Sequence, residues 1–434
     1  MKDSTEPTYV PKEALILDLK DFICRKKTRL AKFNAAVKSA IEHGADDMRG
    51  EEIKDLNGYL RYCDDLLRWV PNVKTTGDEL LRKILVFYWV IDQPKILDLQ
   101  TPISPKTSND DLSWLSYWLV SFARQQGHFL STPESAGAVY TMYLNTKYNP
   151  EADLWEQPKG GWQSFNHWFS RSWKDIEVAR PLDEPDDDRV IVMPADSVHD
   201  GNWPIKNGKV DLKLKIKGIG YKWPIKDLLR TESTDWDEGH FTHSFLGPAD
   251  YHRQHAPVSG KVIEARVIQN QVYLQVAKNT ATGKLYADRA LVRAPAEVER
   301  RRGVRVTYES DGQGGDDSEN PGTSADQDSE EDLDAPDDPG YQWCQTRGLV
   351  VIQTEEYGKV AVLPIGMAQV SSVVLQVKEG DYVQKGDDIS YFQFGGSDCV
   401  MVFERRVDFK YSPKKKKKIN VRREVARFKP NDNE

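Results

Sequence analysis

The chain has 434 residues, 39% hydrophobic and 10% aromatic, enough for one large or two ordinary domains around a well-buried core, which excludes a disordered or low-complexity protein. The net charge of −8 has a local source: residues 309–338 hold thirteen Asp and Glu and no Lys or Arg, and removing them leaves the remainder at +5, so the global acidity says little about partners. Four scattered cysteines, Cys24, Cys63, Cys344 and Cys399, lack CxxC spacing, exclude a disulfide scaffold and read as reduced thiols.

In chain order, the first stretch, MKDSTEPTYVPKEALILDLKD, has no apolar signal core, and Asp3, Glu6, Glu13 and Asp18 argue against a transit peptide. The longest apolar run, ILVFYWVI at 84–91, falls well short of the roughly 20 residues that cross a bilayer. A soluble, cytoplasmic protein is expected. Apolar residues then recur at three and four: Leu30, Phe33, Val37 and Ile41; Leu80, Leu81, Ile84 and Leu85; Leu112, Leu115, Leu119 and Phe122. This spacing predicts a helical domain over 1–150.

GGWQSFNHWFSRSWKDIEVARPLDE (160–184) is aromatic-rich and ends in an Arg-Pro that stops any helix, so it reads as a junction packed against both halves. Beyond residue 185 short alternating runs take over, among them VDLKLKI (210–216) and QVYLQVA (271–277), separated by Gly- and Pro-bearing turns. The expected class is α+β: an N-terminal helical domain, then a β-rich barrel- or sandwich-like core over 151–434. Within it, 309–340 is acidic and nearly free of large apolar residues, so a disordered insertion between two strands is expected there, serving as a solvated spacer or as a dock for a basic partner. Lys414 to Lys418 read as a solvated loop more readily than as a patch for lipid or nucleic acid. No aromatics interleave with the lysines, and no nucleic-acid-binding motif stands elsewhere, so a nucleic-acid partner is not expected.

Three stretches carry residues with chemistry. VIVMPADS ends a buried strand and delivers Asp196 at its tip; FLGPADYHRQHAPVSG crowds Asp250, His252 and His255 into six residues; FQFGGSDCVMVFE places Gly395, Gly396 and Ser397 inside β-like sequence. Singly, each has a plain reading, a turn Asp or structural histidines. His240 with His243 and His252 with His255 also allow metal ligation, but without a Cys pair or an HExxH helix no metal is expected. Together, a serine on a glycine flank with His and Asp elsewhere has the makings of an activated hydroxyl. Ordinary serine hydrolysis fits poorly, because no helix signal follows Ser397 as a GxSxG elbow requires.

These residues carry a resemblance. FQFGGSDCVMVF resembles the self-cleavage site of the phosphatidylserine decarboxylase family of pyruvoyl-dependent decarboxylases. DYHRQHAPVSG is similar to that family's histidine motif, PADS to its aspartate motif, and IKGIGYKWPIKDLL (216–229), FNHWFSRSWKDIEVARPLD and VKEGDYVQKGDDISYF to further stretches, in family order over roughly 160–425. WLVSFARQQGHFLSTPESA is similar to the leader of the fungal tryptophan-decarboxylase-like branch. Two positions depart from the pattern: Asp398 stands where the family has Thr, and Ser197 where PADG has its glycine.

The resemblance implies that the chain cuts itself between Gly396 and Ser397. His255, oriented by Asp196, would deprotonate Ser397, whose hydroxyl attacks the Gly396 carbonyl to form an ester. Elimination then leaves 1–396 and a 397–434 chain that stay associated, and Ser397 becomes a pyruvoyl group, with no external cofactor. His252 is the implied acid for reprotonation, supported by Asp250, and Gly395 and Gly396 give the backbone its freedom. The implied activity is release of CO2 from an amino-bearing acid. A soluble, possibly aromatic L-amino acid of fungal secondary metabolism is favoured, with phosphatidylserine as the alternative substrate and peripheral membrane contact. A reading from another class is a noncatalytic biotinyl- or lipoyl-like binding module, on the strength of VKEGDYVQKGDDI.

Overall fold

The structure, a computed structural model, describes residues 6–71, 79–145, 149–213, 220–247, 249–279, 281–287, 340–366, 373–411 and 417–430. The acidic segment expected to be a disordered insertion lies, up to residue 339, outside the described residues, as do Lys414 to Lys416. The helices are α1 Ala14–Cys24, α2 Lys27–Gly50, α3 Leu56–Leu67, α4 Glu79–Ile91, α5 Trp114–Phe129, α6 Val139–Tyr143, α7 Phe165–Phe169, α8 Ile176–Ala179 and α9 Ile225–Leu229. The strands are β1 Val190–Val192, β2 Ser197–Lys206, β3 Lys209–Lys213, β4 Gly220–Pro224, β5 His240–Phe245, β6 Arg253–His255, β7 Gly260–Ile268, β8 Val276–Lys278 and β9 Leu285–Ala287, followed by β10 Arg347–Gln353, β11 Lys359–Gly366, β12 Val373–Leu375, β13 Tyr382–Val383, β14 Asp388–Phe392, β15 Gly396–Phe403, β16 Val407–Phe409, β17 Lys417–Ile419 and β18 Glu424–Phe428.

Of the helical periods expected, Leu30 to Ile41 fall in α2, Leu80 to Leu85 in α4 and Leu115 to Phe122 in α5, with Leu112 just ahead of it, and α3 is a further helix. In α3 the buried side chains Leu56, Tyr59, Leu60, Cys63, Leu66 and Leu67 form one stripe, and Asp55 caps the first turn by accepting from the Gly58 amide at 2.8 Å. Ser113 caps α5 and Ser164 caps α7 in the same way. The junction segment supplies α7 and α8, and α8 ends at Ala179, directly before Arg180-Pro181.

The largest sheet has ten strands, with path β13-β7-β10-β11-β15-β5-β2-β3-β4 and β17 added on β2. Every pairing in it is antiparallel. β10 is buried except at Gln353 and β11 except at Lys359, as covered central strands should be. The helices and this sheet share one continuous apolar core, from Phe87 and Trp118 to Val262, Leu349 and Val400. Polar ties cross the same boundary: Asp92 accepts from the Val276 amide at 2.7 Å and Asp47 from the Leu285 amide at 3.0 Å.

One expectation is corrected here. The lysine run does not stay in a solvated loop to its end, because Lys417–Ile419 pair with Ser197–His199 and Lys418 forms an ion pair with Asp250 of the histidine stretch. A buried carboxylate needs a cation, and the end of the run supplies it.

Candidate active site

The glycine pair sits at the mouth of β15. After β14 the chain turns through Phe394 and Gly395, whose φ of +100° lies where glycine is favoured over residues with a Cβ. β15 then starts at Gly396, which pairs with Gly366 of β11. The next pair on that ladder is Ile365 with Asp398. Ser397 is therefore the extra residue of a β-bulge, without a facing partner on β11, and the pairing with β5 begins only at Asp398 opposite Phe245. The Gly396–Ser397 peptide lies inside this irregularity.

The turn is clamped by the helical half. The Phe394 amide donates to Asn166 Oδ1 at 3.0 Å, and Asn166 Nδ2 donates to the Gly127 carbonyl at 3.0 Å and to Ser131 Oγ at 2.9 Å. The Phe394 ring meets Phe165 and Phe169 edge-on at 5.4 and 5.5 Å, and Trp69, just beyond α3, at 6.4 Å. Phe169 in turn stacks on His252 at 3.8 Å. A box of aromatic rings thus joins the histidine stretch to the glycine turn.

The two histidines of that stretch differ. His255 Nδ1 lies 2.7 Å from the Gly386 carbonyl, which can only accept, so Nδ1 carries the proton and Nε2 accepts from the Tyr251 hydroxyl at 3.0 Å. Burial pushes His255 down to about 4. His252 is fully buried; burial, helped by the Arg171 charge, pushes it down to about 3, while the Gly247 and Phe169 carbonyls approach it without closing a well-formed hydrogen bond. Asp250 accepts from the Gly247 amide at 2.7 Å and pairs with Lys418; burial raises its carboxyl, with Lys418 opposing.

The expected Asp196–His255 hydrogen bond is not made. Asp196 receives Arg180 through Nε and Nη2, the shortest contact being 2.7 Å, together with the Val421 amide at 2.8 Å. A buried guanidinium offers a carboxylate a two-pronged, charge-assisted contact that a neutral imidazole cannot match. Asp196 and His255 are neighbours only through the backbone, the His255 amide donating to the Pro194 carbonyl at 2.8 Å.

Two further groups were missed in the sequence. His243 on β5 lies with Nδ1 2.8 Å from Asp200 and Nε2 3.7 Å from Asp398, the residue after Ser397, and the Tyr341 hydroxyl donates to Asp398 at 2.6 Å. Burial opposes charge on His243, but the two carboxylates outweigh it and raise it to about 9. His240, its sequence neighbour, points elsewhere and accepts from the Val407 amide. The second group is Arg171, two residues past the end of α7, buried against the rings of Trp155 and Trp168.

Comparison with known proteins bears on these positions. The profile of the phosphatidylserine decarboxylase family matches residues 165–427. The chain is 26% identical over 291 residues to phosphatidylserine decarboxylase proenzyme 2 of Oryza sativa subsp. japonica, spanning 66% of this chain and 36% of that one. Against the phosphatidylserine decarboxylase proenzyme of Fusobacterium nucleatum it is 26% identical over 281 residues, 64% of this chain and 72% of the relative. It is 23% identical over 252 residues to an L-tryptophan decarboxylase of Psilocybe cubensis, 56% of this chain and 47% of the relative. The chain thus spans about a third of the rice protein and about half of the mushroom one.

Proposed function

Because this chain belongs to the phosphatidylserine decarboxylase family, we propose that it is a proenzyme that cuts itself between Gly396 and Ser397 and then, as a pyruvoyl-dependent carboxy-lyase, releases CO2 from an amino-bearing acid. The observation that carries this reading is the bulge at Ser397. Ser397, two residues after the positive-φ Gly395, falls between the ladder pairs made by Gly396 and Asp398, so as a new chain end it gives up no facing pair of its own on β11.

In self-cleavage the Ser397 hydroxyl adds to the Gly396 carbonyl, and the C–N bond breaks as nitrogen takes a proton, giving an ester. Removal of the residue 397 α-proton expels the Gly396 carboxylate. The resulting enamine tautomerises, and water replaces its nitrogen as ammonia, leaving the ketone. His255 is our candidate base: it is neutral, with Nε2 unprotonated, and the Gly386 carbonyl rather than Asp196 fixes that tautomer. Asp196 holds Arg180 and, through the Val421 amide, the segment that leads into β18.

The pyruvoyl carbonyl supplies an electron sink for the pair left when CO2 departs. Around it His252, seated by Phe169, is our candidate proton donor; held neutral by burial, it must take up a proton before it can give one, and Asp250 with Lys418 supports that segment. For the substrate we favour a soluble aromatic L-amino acid, on the ring box of Phe165, Phe169, Phe394 and Trp69 beside the turn and on the likeness to an L-tryptophan decarboxylase. The names of the rice and Fusobacterium relatives favour phosphatidylserine. Among the described residues no helix is long and apolar enough to cross a membrane.

Intact mass of the purified protein tests the first step: chains 1–396 and 397–434 are expected, the smaller one blocked at its amino end, and a single full-length chain in active preparations refutes it. CO2 release from tryptophan, tyrosine, phenylalanine and phosphatidylserine vesicles tests the second, and activity confined to vesicles overturns the amino-acid reading.

A further inference from the structure

We propose that Arg171 receives the α-carboxylate of the substrate, a group carried alike by a free α-amino acid and by the serine headgroup of phosphatidylserine. This deepens the decarboxylase reading above and rests on it.

Arg171 is 2% exposed, and its Nε, Nη1 and Nη2 have no hydrogen-bond partner among the described residues. Other buried arginines show how the chain normally treats this side chain. Arg180 directs its nitrogens to Asp196, Glu151 and the Ala179 carbonyl, and Arg347 directs its own to the carbonyls of Leu228, Gln345, Trp343 and Asp227. An unanswered guanidinium in the interior is costly, because its five donors and its charge are taken from water without replacement. The carboxylates nearest in the field, Asp196 and Asp250, are already engaged by Arg180 and Lys418.

The geometry limits what could answer it. Trp155 and Trp168 lie against the guanidinium at 4.1 and 4.7 Å, and its three nitrogens are closed off from solvent without a partner among the described residues, so a group that answers them must enter the interior to do so. An edge of parallel N–H groups matches a planar two-oxygen acceptor. The position matches too: the Arg171 charge acts on His252, which stacks on Phe169, and Phe169 meets Phe394 of the cleavage turn. The backbone is anchored on both sides, the Ser170 carbonyl accepting Arg253 Nε at 2.9 Å and the Arg171 amide donating to Trp168 at 3.1 Å. Burial pushes Arg171 down to about 9, which leaves it a cation at neutral pH.

When the C–C bond breaks, the electron pair stays with the substrate carbon and CO2 leaves neutral. The contact with Arg171 is therefore strongest before the chemical step, and its loss should act on binding more than on turnover. The test uses the wild-type protein, Arg171→Met and Arg171→Lys, each checked for self-cleavage by intact mass, with binding followed by calorimetry. The probes are indole-3-propanoate and glycerophosphoserine, set against indole-3-propanamide and glycerophosphoethanolamine. In the wild type the acid of one pair is expected to bind roughly 10- to 100-fold better than its neutral or carboxylate-free partner; which pair responds distinguishes the amino acid from the lipid headgroup. Met should abolish that preference and raise KM by more than it lowers kcat, and Lys should restore part of it. A preference that survives in Arg171→Met overturns the proposal. So does equal binding within both pairs by the wild type, a result that stands even if neither variant folds. An uncleaved wild type would instead count against the reading on which the proposal rests.

Discussion

Replacing His243 in an uncleavable Ser397→Ala background isolates the charge cluster behind the cleavage site. Raising the His243 pKa from the ordinary 6.5 to about 9 corresponds to about 3 kcal/mol of stability. Because the folded value lies above the unfolded one, this contribution is complete below pH 6.5 and fades as pH rises through about 9. Neighbouring buried groups titrate as well: burial holds His199 and His240 near 4, so both weaken the fold as pH falls below 6.5, and pushes the Cys399 thiol well up, so it weakens the fold as pH rises past the range of a free thiol. The His243 contribution is therefore read as the difference between parent and variant. His243→Gln leaves Asp200 and Asp398 facing each other without a cation, which should cost about 3–5 kcal/mol at pH 7. The gap in stability between parent and variant should therefore be full near pH 6.5 and narrow as pH rises through about 9. Urea unfolding at closely spaced pH values reads both curves. If the variant keeps the parent's profile between pH 6.5 and 9.5, the imidazolium between two carboxylates is wrong.

Three other outcomes are expected. Gly395→Ala forces a side chain onto a φ of +100°, which should cost about 1–3 kcal/mol and slow self-cleavage measured by intact mass; unchanged cleavage would show that the turn relaxes freely. In the Ser397→Ala background Asp196→Asn should destabilise by about 3–5 kcal/mol, because it strips the buried Arg180 of its inner anion, and His255→Gln by no more than about 2 kcal/mol; the reverse order would return Asp196 to the histidine. His255→Gln alone should remain full length. Trp69→Ala should raise KM for aromatic amino acids at least several-fold with little change for phosphatidylserine vesicles, and equal effects on both would remove the ring box from substrate recognition.

The periodic features were legible in the sequence: the spacing of Leu30, Phe33 and Val37 gives α2, and the alternation in VDLKLKI gives β3. The glycine pair announced itself by breaking a strand pattern. What could not be read was set by long-range pairing. His243 and Asp398 are far apart in sequence and meet only because β5 pairs with β15, and a bulge between β2 and β5 brings Asp200 to the same imidazole. Asp196 looked like a histidine's partner because Arg180 stood in a segment read only as a helix stop. Arg171 carried no signal at all, since an arginine among tryptophans is ordinary in sequence, and its significance comes from the hydrogen bonds it lacks.

The place of β15 has a consequence for what the molecule becomes after the cut. Residues 397–434 would hold most of the strand between β11 and β5, pair with β1 through β18, and edge β2 through β17. Thirty-eight residues in such scattered positions have no interior of their own. The precursor finds its fold as one molecule, at a rate indifferent to dilution, whereas the cut protein, once unfolded, is two solutes that must meet again before a central strand can be replaced. Maturation would therefore turn a fold whose stability is indifferent to dilution into one whose stability falls with it.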